Sequence, residues 1–147
     1  MYKFMAKTWK RKENPALEGI MRERMITWRK QPTVVKLERP TKLARARALG
    51  YKAKQGFVVV RTKIRKGGMR KIRPKSGRRP KHLGVTKYTT AQSLKQIAAQ
   101  RVAKKFKNLK VINTYYVWED GRHKWYEVIL QDPDHPVTKS DSYRKAQ

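Results

Sequence analysis

The chain has 147 residues, 38% of them hydrophobic, with 39 Lys and Arg against 10 Asp and Glu and a formal net charge of +29. One domain is expected at this length, able to bury roughly two-thirds of the surface of its unfolded chain, with extensions that do not pack on the core. Cysteine is absent, which excludes disulfides and thiolate-held zinc; no apolar run reaches the roughly 18 residues of a membrane span, and residues 1–13, MYKFMAKTWKRKE, lack the apolar segment of a signal peptide, so a soluble cytoplasmic protein is expected.

In chain order, Asn14-Pro15 reads as a helix N-cap followed by proline at the first helical position. Leu17, Ile20, Met21, Met25 and Trp28 follow at helical spacing as a core stripe, and Gln31-Pro32 closes the helix. Residues 33–38, TVVKLE, predict a short strand. A short helix, LARARAL, follows Pro40-Thr41; Arg45 and Arg47 project from it, and Gly50 ends it in a left-handed C-cap. Residues 57–65 predict a strand by their β-branched content. Phe57, Val59, Arg61, Lys63 and Arg65 share one of its faces, which turns from apolar to cationic halfway along. The strand is therefore expected to leave the core toward an anion.

From Arg61 the chain reads RTKIRKGGMRKIRPKSGRRPKHLG, with eleven Lys and Arg and no acidic residue. Gly67-Gly68, Pro74, Ser76-Gly77 and Pro80 mark it as loop. Thr89-x-x-Gln92 resembles the capping box of a helix that runs to about Lys107, with Leu94, Ile97, Ala98, Val102 and Phe106 on its apolar stripe. Residues 109–118 and 124–130 flank Asp120-Gly121, a two-residue hairpin signal. Such a turn pairs Glu119 with Arg122, Tyr116 with Trp125 and Ile112 with Ile129. Both faces of the hairpin are apolar, so helices must cover it on both sides.

Catalytic chemistry finds little support. Of the histidines, His82 sits in the basic loop, His123 beside the hairpin turn, and His135 in Asp132-Pro-Asp-His-Pro136, which reads as a turn and not as a metal site. Glu119 and Asp120 belong to a turn and make poor nuclease carboxylates, and Gly67-Gly68 lacks the context of a phosphate-binding loop. The expectation is no enzyme, no metal, no cofactor and no small-molecule substrate.

Nucleic acid is the expected partner. Residues 39–118 hold 24 of the 39 Lys and Arg and not one carboxylate. A surface of that kind gains affinity by neutralising phosphates and releasing counterions. Arg70, Arg73, Arg78 and Arg79 dominate the loop tip, and guanidinium forks suit phosphate oxygens. A thin, irregular loop fits the crevices of a folded RNA. No helix-turn-helix, zinc finger or RNP-type aromatic signature is present, so contacts should go to phosphate and sugar. DNA packaging, or general condensation of nucleic acid, is the alternative reading of this composition.

Residues 45–61, RARALGYKAKQGFVVVR, resemble the signature of the ribosomal L15e family of the archaeal and eukaryotic large subunit. Residues 109–120 and 126–136 are similar to its C-terminal hairpin and exit turn, and Tyr2-Lys-Phe and Trp9-Lys-Arg-Lys12 also fit. The resemblance implies an α+β fold: a small, mostly antiparallel sheet covered by helices, with a long basic irregular extension at about residues 66–88 of a single domain spanning 1–147. It implies a structural, non-catalytic role in the large ribosomal subunit. The partners it implies are large-subunit rRNA and neighbouring large-subunit proteins, with no membrane. Carried over by position, Tyr51, Lys52, Lys54 and Gln55 join Arg45 and Arg47 in contacting rRNA. Arg61, Lys63, Arg65 and Lys66 follow, and then the loop residues Arg70, Lys71, Arg73, Lys75, Arg78, Arg79, Lys81 and His82. Family members usually continue into a further basic tail, whereas the sequence ends at Gln147; contacts of that tail are not carried over. Residues 66–84 are expected to gain their order from RNA, since their few apolar side chains cannot offset about 1–2 kcal/mol of backbone entropy per residue.

Overall fold

A sheet of four antiparallel strands, in the order β1-β2-β4-β3, organises the protein. In a computed structural model, residues 1–10, 14–68, 76–77 and 91–139 are described. They form α1 (Tyr2–Lys10), α2 (Pro15–Lys30), β1 (Val34–Leu37), α3 (Leu43–Ala48), β2 (Phe57–Arg65), α4 (Leu94–Lys105), β3 (Lys110–Glu119) and β4 (His123–Gln131). This is the expected α+β arrangement. The predicted extension lies largely outside the described residues.

The central strands are apolar on both faces because both are covered. On one face Tyr115, Val117, Trp125 and Ile129 pack with Met21 and Trp28 of α2 and Ala46 of α3. On the other, Val60, Val128 and Leu130 meet Val102 of α4, and Ile64 and Tyr126 meet Ala98.

Local chemistry sets most element ends. The Asn14 side chain accepts the Leu17 N–H at 3.3 Å, with Pro15 opening α2. Ile20 departs from the predicted stripe and is 49% exposed. One residue of helix turns it about 100° away from Met21, off the line that Leu17, Met21, Met25 and Trp28 follow. At the end of α3, the Gly50 N–H donates to the Arg47 carbonyl and the Tyr51 N–H to the Ala46 carbonyl. This is a Schellman ending, and it needs the positive φ of 98° that Gly50 supplies. The helix α4 starts later than expected, capped by the Ser93 hydroxyl, which accepts the Gln96 N–H. Ser93-x-x-Gln96 repeats the capping-box pattern four residues downstream of Thr89, which lies outside the described residues.

The helix α1 was not anticipated. Met5, Ala6 and Trp9, half-buried, sit at helical spacing on it, and it lies against α3. Its signal is a short amphipathic pattern without a cap, too weak alone to specify a helix.

The hairpin exists, but its register near the turn differs from the expected one. Glu119 pairs with Lys124, Trp118 with Trp125 and Tyr116 with Tyr126. The Asp120 carboxylate accepts the N–H groups of Arg122 and His123, so the turn spans 120–123 and is two residues longer than an Asp-Gly turn. Irregularities at Ile112 and Val117 then absorb one residue each. Beyond them the register implied by the short turn is restored, as Val111↔Leu130 and Lys110↔Gln131. Asn113, not Ile112, faces Ile129.

The segment 132–135 is a turn, as read, and a short helical turn at 136–139 follows it. Asp132 accepts the Asp134 N–H on its side chain and donates its own N–H to the Gly56 carbonyl at 2.8 Å. Gly56, at φ 83°, faces Thr138 so closely that a Cβ would lie 2.7 Å from its methyl group. The 51–56 arch is thereby fixed at both ends, by the α3 cap and by this turn.

Candidate nucleic-acid interface

The acidic residues of the hairpin are occupied internally. Glu127, fully buried, accepts the Thr41 N–H at 3.0 Å, the Thr41 hydroxyl and the Tyr115 hydroxyl. Burial, with Glu127 beside it, pushes the Tyr115 phenol well above its usual range. Glu119 pairs with Lys124 at 3.0 Å and Lys66 at 3.1 Å; the Lys124 hydrogen bond, with Lys66 behind it, holds its carboxyl below the usual range. Asp120 pairs with Arg29 at 2.9 Å. Burial acts to raise its pKa, but the bonds from Arg29, His123 and Arg122 outweigh this and bring it down to about 2. The remaining described carboxylates sit on α2, after β1 and in the 132–135 turn. The whole of α3, the arch and α4 carry none.

The expected site residues divide into three groups. Arg45 and Arg47 are exposed on α3, with the Arg47 guanidinium 4.8 Å from the Tyr2 ring centre. Lys52 and Gln55 are exposed on the arch and Lys54 is half-buried, while Tyr51 packs its ring against the core. Arg65 is exposed at the end of β2. These residues share one contiguous stretch of chain around α3 and the arch, plus the strand end.

The second group is held inward, and here the picture of a strand face running out toward an anion is corrected. Arg61 is 7% exposed; its guanidinium lies 4.0 Å over the Trp28 ring and donates to the Gln31 side chain at 2.6 Å. It also stands directly across from Glu127 in the sheet register. The Lys63 ammonium donates to the carbonyls of Arg29 and Gln31, capping the C-terminus of α2 where cations are favoured. Lys66 gives its N–H to the Arg122 carbonyl and its ammonium to Glu119. Alternation along β2 placed Arg61 and Lys63 on one face correctly. It carried no information that α2 ends over that face. The third group, Arg70, Lys71, Arg73, Lys75, Arg78, Arg79, Lys81 and His82, lies outside the described residues.

Two features lie outside the expected site. The helix α4 exposes Lys95, Arg101, Lys104 and Lys105 with no acidic neighbour on the helix. Beside edge strand β3 lies a cleft of about 540 Å³, lined by Trp9, Lys42, Arg45, Lys95, Tyr116 and Tyr126 among others. The Lys42 ammonium lies 4.7 Å from the Trp9 ring centre and 5.2 Å from that of Tyr116. Burial lowers its pKa and Glu127 opposes that shift. The cleft gathers side chains from α1, the entry to α3, α4 and the hairpin, so no local motif announces it.

The described residues form a small basic α+β scaffold whose α3, arch and α4 carry no carboxylate; no group of three metal-ligating His, Asp or Glu side chains occurs among them. No helix among them is long and apolar enough to cross a membrane. The family model described as Ribosomal L15, of the L15e type, matches residues 1–145, and the chain belongs to that family. Its members are structural proteins of the large ribosomal subunit.

Proposed function

We propose that the protein binds and stabilises folded large-subunit rRNA, using the exposed cations of α3, the 51–56 arch and α4, together with the basic segment at about residues 66–88. One observation carries the reading: α3, the arch and α4 present Arg45, Arg47, Lys52, Lys95, Arg101 and Lys104 without a carboxylate among them. A phosphate backbone is the polyanion that such a surface neutralises. Arg61 and Lys63 serve differently, by fixing α2 on the sheet, and so hold the scaffold behind the interface. Neighbouring large-subunit proteins are the further partners, and the cytoplasmic large subunit is the location. DNA packaging, the alternative from composition, loses ground to the family membership.

The test is binding of the full chain to purified large-subunit rRNA across a salt series. With about ten phosphate contacts, log K should fall against log salt with a slope of roughly −7 to −9. Arg61→Ala should lower the melting temperature and leave that slope unchanged. A slope shallower than about −3 would replace phosphate recognition with apolar or base recognition.

A further inference from the structure

The cleft beside β3 differs in chemistry from the rest of the interface. Phosphate recognition needs donors, and α3 and α4 supply them on open surface. The cleft adds flat aromatic walls, with Tyr116 41% exposed and Trp9 half-buried, and a lysine already held between their rings. No carboxylate among the described residues lines it. Its volume of about 540 Å³ falls within the roughly 300–1,000 Å³ of pockets that enclose small ligands.

The geometry points to a site for one RNA nucleotide turned out of its helix, the base entering against the Tyr116 and Trp9 walls and its phosphate held by Arg45 and Lys95. This rests on the RNA-binding function proposed above and assigns it a base-accepting pocket. Unstacked bases of folded RNA are commonly held on aromatic side chains and guanidinium planes. Lys42 supplies ammonium donors for the acceptor atoms that every base carries. Stacking tolerates any base, so the pocket selects an extruded nucleotide and not a sequence.

A protein side chain from a neighbour is the competing occupant. It is less suited to the site, because Lys42, Arg45 and Lys95 would then need carboxylates brought to them, whereas a nucleotide carries its own anion.

Two measurements on the full chain test the assignment. In the first, Tyr116→Ala and Tyr116→Phe bind purified large-subunit rRNA across a salt series, beside a variant in which Arg78 and Arg79 are both alanine. Tyr116→Ala should weaken binding about 5- to 150-fold at every salt concentration without changing the slope, as loss of one stacked base does. Tyr116→Phe should bind like the parent. The Arg78 and Arg79 variant should flatten the slope by roughly 1–2. If that slope stays unchanged while Tyr116→Ala still weakens binding, the phosphate reading fails and the pocket stands. Unchanged binding of Tyr116→Ala, or equal losses for Ala and Phe, overturns the pocket. In the second measurement, unaltered large subunits are crosslinked by ultraviolet light and digested. A nucleotide adduct on the peptide holding Tyr116 or Trp9 supports the site. A peptide of another protein, or of this chain, attached there overturns it.

Discussion

Glu127→Gln tests what holds α3 and the sheet together. Glu127 is fully buried, takes three hydrogen bonds from Thr41 and Tyr115, and faces Arg61, itself 7% exposed, across β2 and β4. The amide keeps the shape and removes the charge. Arg61 and the half-buried Lys42 then lose the buried carboxylate near them. Removing one partner of a buried pair costs about 3–5 kcal/mol. At about 2–4 °C per kcal/mol for a domain of this size, the melting temperature should fall by roughly 6–20 °C. The assay is thermal and urea unfolding at neutral pH, on Glu127→Gln, Arg61→Met and the double variant. The double variant should cost less than the sum of the singles, because it leaves no unpaired charge in the pair. A Glu127→Gln protein within about 0.5 kcal/mol of the parent would place the group in an environment no more demanding than open surface, and the argument would fail.

Three further outcomes follow from the same structure. Gly56→Ala should destabilise by about 1–3 kcal/mol, since it must hold φ 83° and meets the Thr138 methyl at 2.7 Å, whereas Gly121→Ala, with open space around it, should shift the urea midpoint little. Because the Asp120 pKa is depressed to about 2, its stabilising contribution is present above about pH 4 and is lost as pH falls toward 2; Asp120→Asn should remove that part of the acid sensitivity in a pH series of unfolding curves. Replacing residues 69–84 by a short Gly-Ser linker should leave the melting temperature nearly unchanged, as loop closure varies by only about 0.6 kcal/mol per doubling of length, while rRNA affinity falls by orders of magnitude and the salt slope flattens. Lys66 is kept in that variant because it is tied to Glu119 and Arg122.

Local signals were legible where one residue decides an outcome. Asn14-Pro15 starts α2, Gly50 ends α3, and the β-branched run at 57–65 is a strand, each as the sequence implies. Where several elements must agree, the sequence was ambiguous. The Asp120 carboxylate chose a longer turn than Asp-Gly alone suggests, and two irregularities in β3 then restored the pairing further along. Arg61 read as a cation bound for an anion because nothing local records that Trp28 and Gln31 lie above it. Within the arch that the family motif marks, Tyr51 packs inward. Lys42, Trp9 and Tyr116 are far apart in sequence and converge only in the fold.

The central claim, a structural component of the large subunit held there by rRNA, is tested most directly by sedimenting a native lysate at moderate salt, with and without ribonuclease. The account predicts that the protein runs with large subunits and is released when their RNA is digested. Recovery with chromatin or nucleoid, or retention in a heavy fraction that ribonuclease does not disturb, would contradict it.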